Sequence, residues 1–396
     1  MSRLLFRCSV VSTILVLASG AQGFAEGKLK VGDVRPYRAE TPHPYPLGTE
    51  ARPVVWTDTV ISPGAEFVRV HFRNLRLAGG DYLTVSGPDG LQTWTYTGRG
   101  PHHNGDVWSF AIDGDTAVVR IHGGRGAGQG YMIDAVGHGT VGLGPKQGPT
   151  PEVVCGTDGR EDVACHLPEV EAAQKPVARH LFTSGGFQYV CTGELIAGSN
   201  NNTLITNNHC IKTQTETASL QAMFNYQKTT CGGATNAGTT SYNGGTLLKT
   251  NSEKRKGGRG GLDYTLLTLQ GNPEGTWGEL TGSTKPVNIN DVIWFIQHPG
   301  GNQKKIGYWE DAAHTTRCMV DAVNATYGRS AIGSQTGYAC DSEGGSSGSA
   351  ITDPGMGHAI ALHHYGGVSS NPCLNSGTAF AKICVDAGSL LSCASN

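Results

Sequence analysis

Length, composition and charge set the first limits on this chain. It has 396 residues, of which 16% are charged and 58 are glycine, and its formal net charge is −2. The length favours two domains, and the glycine-rich, charge-poor composition favours a loop-rich all-β protein over a helical one. The near-neutral charge gives no electrostatic reason to expect nucleic acid or an anionic membrane surface as a partner.

Residues 1–25 have the pattern of a secretory signal peptide. Arg3 and Arg7 precede an apolar stretch over 8–17 that is too short to span a bilayer, and small residues follow it up to Ala25. No later segment is long and apolar enough to cross a membrane. We therefore expect a secreted, extracellular protein.

Residues 27–145 contain no cysteine and show the period-two alternation of half-buried strands. The clearest alternation lies at 67–72, and the turn residues of Gly87-Pro88-Asp89-Gly90 follow another candidate strand. The strand candidates are 67–72, 81–86, 107–112, 117–122 and 131–136. This pattern predicts a small β-sandwich, similar to a CUB domain, that acts as a prosegment or as a binding module.

A short linker at 146–154 separates this part from a second predicted domain at 155–396. We expect proteolytic maturation after Lys146, which would make the protein a zymogen. The second domain has strand candidates at 189–196, 264–269, 292–297 and 359–363, and a short terminal helix candidate at 383–391.

All ten cysteines that follow the signal peptide lie beyond residue 150, and an even number in an exported chain implies disulfides. They are Cys155, Cys165, Cys191, Cys210, Cys231, Cys318, Cys340, Cys373, Cys384 and Cys393. The sequence contains neither Cys-x-x-Cys nor His-Glu-x-x-His, so we expect no metal site and no cofactor.

Three local motifs supply the parts that acyl transfer by a serine requires: a base, a group that orients it, and a nucleophile near oxyanion donors. His209 follows an apolar strand end and precedes Cys210, and Asp263 leads into the apolar stretch 264–269. Ser347 lies in the glycine-rich stretch 344–349, where a tight turn can direct backbone N–H groups at a carbonyl oxygen. The motifs are unspecific alone, but their order predicts a catalytic triad.

With these motifs, residues 151–396 resemble the trypsin-like serine proteases of the chymotrypsin fold, and most of all the bacterial lysyl endopeptidases. The likeness rests on the triad motifs and on two further stretches, Cys191-Thr192-Gly193 and Gln297-His298-Pro299-Gly300-Gly301. It implies an all-β fold of two antiparallel six-stranded β-barrels after the β-sandwich. It also implies hydrolysis of peptide bonds in protein or peptide substrates by a monomeric enzyme.

The resemblance assigns roles to individual residues. His209 is the general base and then the general acid, Asp263 holds its tautomer, Ser347 attacks the scissile carbonyl, and the N–H groups of Gly345 and Ser347 bind the oxyanion. Ser346 stands where animal enzymes have an aspartate that pairs with the new N-terminus, so that activation switch is not expected. The implied disulfides are Cys155–Cys373, Cys165–Cys231 and Cys191–Cys210, with Cys318–Cys340 and Cys384–Cys393 as the remaining pairs.

The substrate pocket is less sharply defined than the triad. Asp341 lies six residues before Ser347, the offset of the pocket aspartate of trypsin, so we expect Arg or Lys before the scissile bond (P1). Lysyl endopeptidases place their specificity aspartate in a stretch that corresponds to 374–380, which contains no acid here. We expect His364 to line the pocket wall and Thr378 to narrow the pocket.

Several alternatives stay open at this point. Because glutamate-specific enzymes use histidine in such walls, His363 and His364 leave an acidic P1 residue as an alternative, and an apolar one is another. Different kinds of protein are also compatible with the sequence: a catalytically inactive protease-like binding protein, a serine hydrolase that cleaves esters, or a chain whose first domain binds carbohydrate or mediates adhesion.

Overall fold

The computed structural model describes residues 28–124, 128–142, 153–252, 260–354, 357–368 and 371–395. The predicted signal peptide, Lys146 and most of the predicted linker lie outside these ranges. Strands dominate throughout, which confirms the all-β prediction. In the described ranges, no helix has both the length and the apolar character that crossing a membrane requires.

The described residues of the N-terminal half form nine strands. They are β1 (Leu29–Glu40), β2 (Val54–Ile61), β3 (Phe67–Arg76), β4 (Tyr82–Ser86), β5 (Thr93–Thr97), β6 (Val107–Trp108), β7 (Ile112–Asp113), β8 (Thr116–His122) and β9 (Gly130–Gly139). Strands β1, β9 and β3 lie side by side, and β6 and β7 pair with β3. The order β2-β8-β4-β5 forms a second sheet, and alternate side chains of both sheets share one core.

The described residues of the C-terminal half form sixteen more strands. They are β10 (Arg160–Asp162), β11 (Val177–Ser184), β12 (Phe187–Leu195), β13 (Thr203–Thr206), β14 (Gln221–Phe224), β15 (Thr240–Asn251), β16 (Tyr264–Leu269), β17 (Gly282–Ser283), β18 (Trp294–Gln297), β19 (Lys305–Gly307), β20 (Val320–Ala325), β21 (Gln335–Tyr338), β22 (Ala350–Thr352), β23 (Ala359–Tyr365), β24 (Asn375–Ala379) and β25 (Cys393–Ala394).

Helical segments are short. The α-helices are α1 (Glu171–Gln174), α2 (Gln214–Ala218), α3 (Pro273–Trp277) and α4 (Phe380–Ala387), and the 3-10 helices are Val163–His166, Pro299–Gly301 and Gly388–Leu390. A capping box stabilises the N-terminus of α2: the Thr213 hydroxyl accepts the N–H of Glu216, and the Glu216 carboxylate accepts the N–H of Thr213.

The C-terminal strands form one closed barrel and one half-barrel. The order β11-β14-β15-β16-β13-β12, closed by pairing of β12 with β11, makes a six-stranded antiparallel barrel. The strands β18, β22, β23, β24, β21 and β20 form a second sheet that curls without a closing ladder, and its ends meet at a single bridge between Val292 and Met319. The fold is chymotrypsin-like, with one closed barrel and one half-barrel.

Strand β1 joins the two halves of the fold. Its first residues pair with β12 of the closed barrel, and from Gly32 onward it pairs with β9 of the sandwich, so one sheet continues across the junction. Arg69 of β3 is buried there, and its guanidinium donates to Gln188 Oε1 at 3.2 Å and to the carbonyl of Ser219 at 2.7 Å. The predicted boundary near residue 145 therefore divides two units that share a sheet.

Among the described residues the structure contains five disulfides, all in the C-terminal half. Three are the pairs that the resemblance implies, and two are the pairs predicted from the remaining cysteines. They are Cys155–Cys373, Cys165–Cys231, Cys191–Cys210, Cys318–Cys340 and Cys384–Cys393.

Candidate active site

His209 lies in the closed barrel, three residues beyond the end of β13. The adjacent Cys210 is joined to Cys191 of β12, which fixes the backbone below the imidazole. A ring nitrogen of His209 lies within 4.8 Å of the sulfur atoms of both cysteines. Because the two sulfurs are bonded to each other, this cluster is a histidine beside a disulfide and not a set of thiolate metal ligands.

Asp263 holds this histidine at two points. Its Oδ2 accepts the Nδ1–H of His209 at 2.7 Å, and its Oδ1 accepts the backbone N–H of the same residue at 2.9 Å. Asp263 has a φ of +48°, an uncommon conformation for a residue other than glycine, and the amide of Asn207 donates to its carbonyl at 2.9 Å. This backbone arrangement directs the carboxylate back at the residue that follows β13.

The charge of Asp263 is stabilised by its partners. Burial alone would raise the pKa of this carboxyl, but the charge of His209 and the hydrogen bonds from His209 and His364 lower the pKa well below its usual range. The carboxylate therefore remains ionised at neutral pH and keeps the proton of His209 on Nδ1. In that tautomer Nε2 is the basic nitrogen of the ring.

Ser347 lies in a tight turn between two glycines with positive φ, +100° at Gly345 and +91° at Gly348. A side chain at Gly345 would meet the backbone of Gly301 at 2.8 Å and of His298 at 2.9 Å, so the close approach of these segments requires glycine. The carbonyl of Ser347 accepts the N–H of Thr192 at 2.9 Å.

The two sides of the site meet at the Cys191–Cys210 disulfide. Ser347 O lies 4.0 Å from Cys210 Sγ, and the His209 ring lies within 4.8 Å of the same sulfur. The backbone of the serine and the imidazole of the histidine are therefore neighbours across the gap between the barrels. The structure brings His209 into direct contact with Asp263 and places the Ser347 backbone beside the same disulfide, although the three residues lie far apart in sequence.

The N–H groups expected to bind the oxyanion belong to Gly345 and Ser347 in this turn. Among the described residues, neither Gly345 nor Ser347 uses its backbone N–H in a hydrogen bond within the turn. The carbonyl of Gly344 accepts the N–H of Gly300 at 2.7 Å. Because the C=O and N–H of one peptide point in opposite directions, this bond turns the N–H of Gly345 away from Gly300.

His364 and Thr378 lie on the Asp263 side of the site. His364 is buried, with Nδ1 3.3 Å from Asp263 Oδ2 and Nε2 2.7 Å from Gln335 Oε1. The hydroxyl of Thr378 donates to the carbonyl of Leu262 at 2.8 Å, next to Asp263 in the chain. These contacts explain the burial of both residues without a substrate.

Asp341 accepts hydrogen bonds from two backbone N–H groups, which its spacing from Ser347 does not reveal. It is fully buried, and its two carboxylate oxygens accept the backbone N–H groups of Cys155 at 2.9 Å and Gly159 at 2.8 Å. Glu343, the other acid of this turn, pairs with Arg160 at 3.1 Å. Both acids thus hold the segment that leads into β10.

Ser346 and His363 occupy buried positions on either side of the nucleophile turn. Ser346 Oγ donates to Gln297 Oε1 at 2.5 Å, so a neutral pair stands where animal enzymes have the activating aspartate. The carbonyl and N–H of His363 bond Gly348 and Ser349, and its Nδ1 lies 2.7 Å from the hydroxyl of Tyr338.

Thr192 is a residue whose part in the site the sequence did not reveal. Its hydroxyl donates to the carbonyl of Gly345 at 2.7 Å and accepts the N–H of His298 at 3.1 Å. It therefore joins β12, the Pro299–Gly301 turn and the nucleophile turn. Its place after Cys191 in a motif shared with lysyl endopeptidases is the only sequence signal that points to it.

Comparison with known proteins agrees with this architecture. A family model described as "Lysyl endopeptidase, C-terminal domain" matches residues 157–379, which is more than half of the chain. The chain belongs to this family. The match to the lysyl endopeptidase family includes His209, Asp263 and Ser347 and ends at Ala379, before α4.

Two relatives match this chain with a sequence identity of 27% or less. A protein named secreted RxLR effector protein 73, from Plasmopara viticola, is 27% identical over 330 residues, which is 79% of this chain and 77% of that protein. The lysyl endopeptidase of Pseudomonas aeruginosa is 26% identical over 283 residues, which is 66% of this chain and 56% of that protein. The chain, as a member of the lysyl endopeptidase family, thus spans little more than half of the length of the Pseudomonas aeruginosa enzyme.

Two solved protease structures align with part of this chain. A Glu endopeptidase in complex with MPD aligns with 59% of this chain and 96% of its own, at 21% identity and a TM-score of 0.41. The active form of the Rv3671c protease from M. tuberculosis aligns with 64% of this chain and 96% of its own, at 14% identity and a TM-score of 0.42.

Proposed function

We propose that this protein is a secreted serine endopeptidase that cleaves peptide bonds through an acyl-enzyme. The observation that carries the proposal is the pair of hydrogen bonds that Asp263 accepts from His209, beside the disulfide that also contacts the Ser347 carbonyl. A buried, ionised carboxylate that fixes the tautomer of an imidazole is the arrangement that a general base for serine requires.

The proposed reaction assigns a role to each of these residues. His209 Nε2 takes the proton of the Ser347 hydroxyl as its oxygen bonds to the scissile carbonyl carbon. The N–H groups of Gly345 and Ser347 bind the resulting oxyanion. His209 then gives the proton to the leaving amine, and water repeats the sequence to release the acyl group. Asp263 stabilises the imidazolium in both steps.

Substitution of Ser347 tests the proposal. Ser347→Ala is expected to abolish both labelling by a fluorophosphonate probe and hydrolysis of fluorescein-labelled casein. Ser346→Ala is the matched control, since it removes a neighbouring hydroxyl that binds Gln297, and it should still be labelled. Undiminished hydrolysis by Ser347→Ala, or no labelling of the unaltered protein, would refute the nucleophile and favour an inactive binding protein.

The residue that the enzyme prefers before the scissile bond (P1) has two candidates. Trypsin-like spacing of Asp341 favours Arg or Lys, but the contacts of Asp341 and Glu343 with the 155–160 segment weigh against that preference. A second candidate is an acidic P1 residue, supported by the buried His363, whose backbone is hydrogen-bonded to Gly348 and Ser349, the residues that follow Ser347. An imidazole can donate a hydrogen bond to a carboxylate.

Mass-spectrometric mapping of cleavage sites in a denatured protein mixture separates these candidates. Cleavage after Arg or Lys supports a basic P1 residue, and cleavage after Glu or Asp supports the histidine-based candidate. Cleavage after apolar residues contradicts both.

Secretion and maturation complete the proposal. Five disulfides support an extracellular location. N-terminal sequencing of the protein recovered from culture medium tests both removal of residues 1–25 and cleavage after Lys146. A mature chain that begins at Gln147 supports the zymogen proposal, whereas one that begins near Ala25 shows that the first domain stays attached.

A further inference from the structure

The edge of β12 that lies beside the candidate active site is occupied by the chain's own first strand. One edge of β12 pairs with β11 along its whole length. The opposite edge pairs with β13 only at Glu194 and Leu195, and its earlier part, 187–190, pairs antiparallel with β1. Leu29 lies opposite Val190, and Lys30 lies opposite Tyr189.

This pairing is close to the nucleophile. Thr192 N–H donates to Ser347 O, and Val190 precedes Thr192 by two residues. At about 3.3 Å per residue, the Leu29–Val190 pair lies about 7 Å along the strand from the hydrogen bond to Ser347. Between the two positions is Cys191, whose sulfur lies close to the His209 ring.

The same geometry indicates which part of a substrate this edge faces. His209 must give its proton to the leaving amine, so the residues after the scissile bond lie on the His209 side of Ser347. The 187–190 edge of β12 precedes the cysteine that lies against His209. An extended peptide that leaves the site on this side meets a strand edge, and strand edges bind extended peptides by main-chain pairing.

Side-chain contacts hold β1 on this edge. Lys28 Nζ lies 2.6 Å from Ser184 Oγ and 3.4 Å from Glu216 Oε1, and it stands over the ring of Tyr189 at 4.4 Å. Val31 is buried in a small core with Val190, and the other buried members are Phe67 of β3, Leu181 of β11 and Ala111. The contacts connect β1 to β12, to the β11–β12 turn and to α2, which follows His209.

We propose that the 187–190 edge of β12 receives the substrate residues that follow the scissile bond, and that β1 fills this edge in the intact chain. The inference rests on the proposed protease function. The N-terminal half then hinders long substrates, which need the edge, and leaves small reagents free to reach Ser347. Hydrolysis of a protein requires β1 to leave β12.

The test is a comparison of two reactions of the full-length chain. A fluorophosphonate probe has no peptide residues after its reacting atom, so its reaction with Ser347 does not use the β12 edge. Hydrolysis of fluorescein-labelled casein does use this edge, because the substrate chain continues beyond the scissile bond. Lys28→Glu places a second carboxylate beside Glu216 and removes the cation from Tyr189, which weakens the docking of β1. We expect the casein rate relative to the labelling rate to rise about tenfold, equivalent to about 1.4 kcal/mol.

Arg38→Glu is the matched control. It reverses the charge of an exposed residue on the same strand, in the part that lies beyond the pairing with β12, and should leave the ratio unchanged. Lys28→Ala is the milder second variant if labelling shows that Lys28→Glu does not fold. Equal ratios in the unaltered chain and both Lys28 variants would overturn the inference. Failure of the unaltered chain to be labelled would instead overturn the proposed function.

Discussion

Asp341 and Gly159 are joined by a hydrogen bond of 2.8 Å between a carboxylate oxygen and a backbone N–H. The second carboxylate oxygen accepts the N–H of Cys155, and Cys155 is disulfide-bonded to Cys373. A single buried acid therefore connects the start of the C-terminal half to the segment that precedes Ser347. The contacts make Asp341 a determinant of how this region is held together.

Asp341→Asn is expected to destabilise the protein without changing which bonds it cleaves. An amide retains one acceptor oxygen but presents its NH2 group to the other backbone donor, and a buried donor left unsatisfied costs about 1–3 kcal/mol. Urea unfolding measures the loss, and cleavage-site mapping measures the preference. A changed P1 residue with unchanged stability would show instead that Asp341 contacts substrate.

His364→Leu is expected to slow catalysis through Asp263. His364 Nδ1 lies 3.3 Å from the carboxylate oxygen that holds His209, and leucine fills similar space without a polar group. A loosened carboxylate should lower kcat about tenfold, since misorientation of catalytic groups costs at least this much, and leave KM nearly unchanged. Steady-state kinetics with a peptide substrate measures both constants. A change confined to KM would place His364 in the substrate pocket.

Local pattern was sufficient to predict many of the elements around the site. The apolar stretch predicted at 264–269 is β16, and the stretch predicted at 189–196 is most of β12. The single strand predicted at 107–112 was wrong: it divides into β6 and β7, because residues between them leave the ladder and the N–H of Ala111 bonds the Gln221 side chain.

Local sequence patterns could not predict contacts between residues that are far apart in the chain. Spacing placed Asp341 at the offset of a pocket aspartate, but its partners lie more than 180 residues away in the chain. Neither the strand of His364 nor its neighbours in sequence reveal that its Nδ1 lies 3.3 Å from Asp263 Oδ2. The pairing of β1 with β12 is likewise a property of two edges that only the folded chain brings together.

Lys304 is expected to make stability depend on pH. It is fully buried, and its Nζ donates to Gln174 O at 2.6 Å and Gln174 Oε1 at 3.1 Å. Burial lowers the pKa of Lys304 to about 7, below the value near 10.5 of an unfolded chain. Between these two values the unfolded state binds the additional proton, so this group makes folding more favourable as pH rises from about 7.

Lys304→Met isolates this contribution, since the other titrating groups cancel when the two proteins are compared. The free energy of unfolding of the unaltered protein, relative to Lys304→Met, should increase between pH 7 and pH 9 and be constant below pH 6. Urea unfolding at a series of pH values measures it. Parallel curves over this range would mean that Lys304 is as readily protonated when folded as when unfolded.

Arg69→Met is expected to weaken the junction between the two halves of the fold. The Arg69 guanidinium donates to the carbonyl of Ser109, to Gln188 Oε1 and to the carbonyl of Ser219, so it connects β3 to both β12 and the end of α2. Methionine fills much of the volume but leaves three buried acceptors without their donor, and the expected loss of stability is about 3 kcal/mol.

Arg73→Met provides the control on the same strand. Arg73 is half exposed and pairs with Asp106 at 3.0 Å, and an exposed ion pair contributes less than about 1 kcal/mol. Thermal unfolding should therefore separate the two variants clearly. Amide hydrogen exchange locates the effect: the 187–190 segment of β12 should exchange faster in Arg69→Met than in Arg73→Met, because loss of the guanidinium loosens β1 and β3 together from the barrel. Equal exchange in the two variants would mean that β1 holds this edge without help from Arg69.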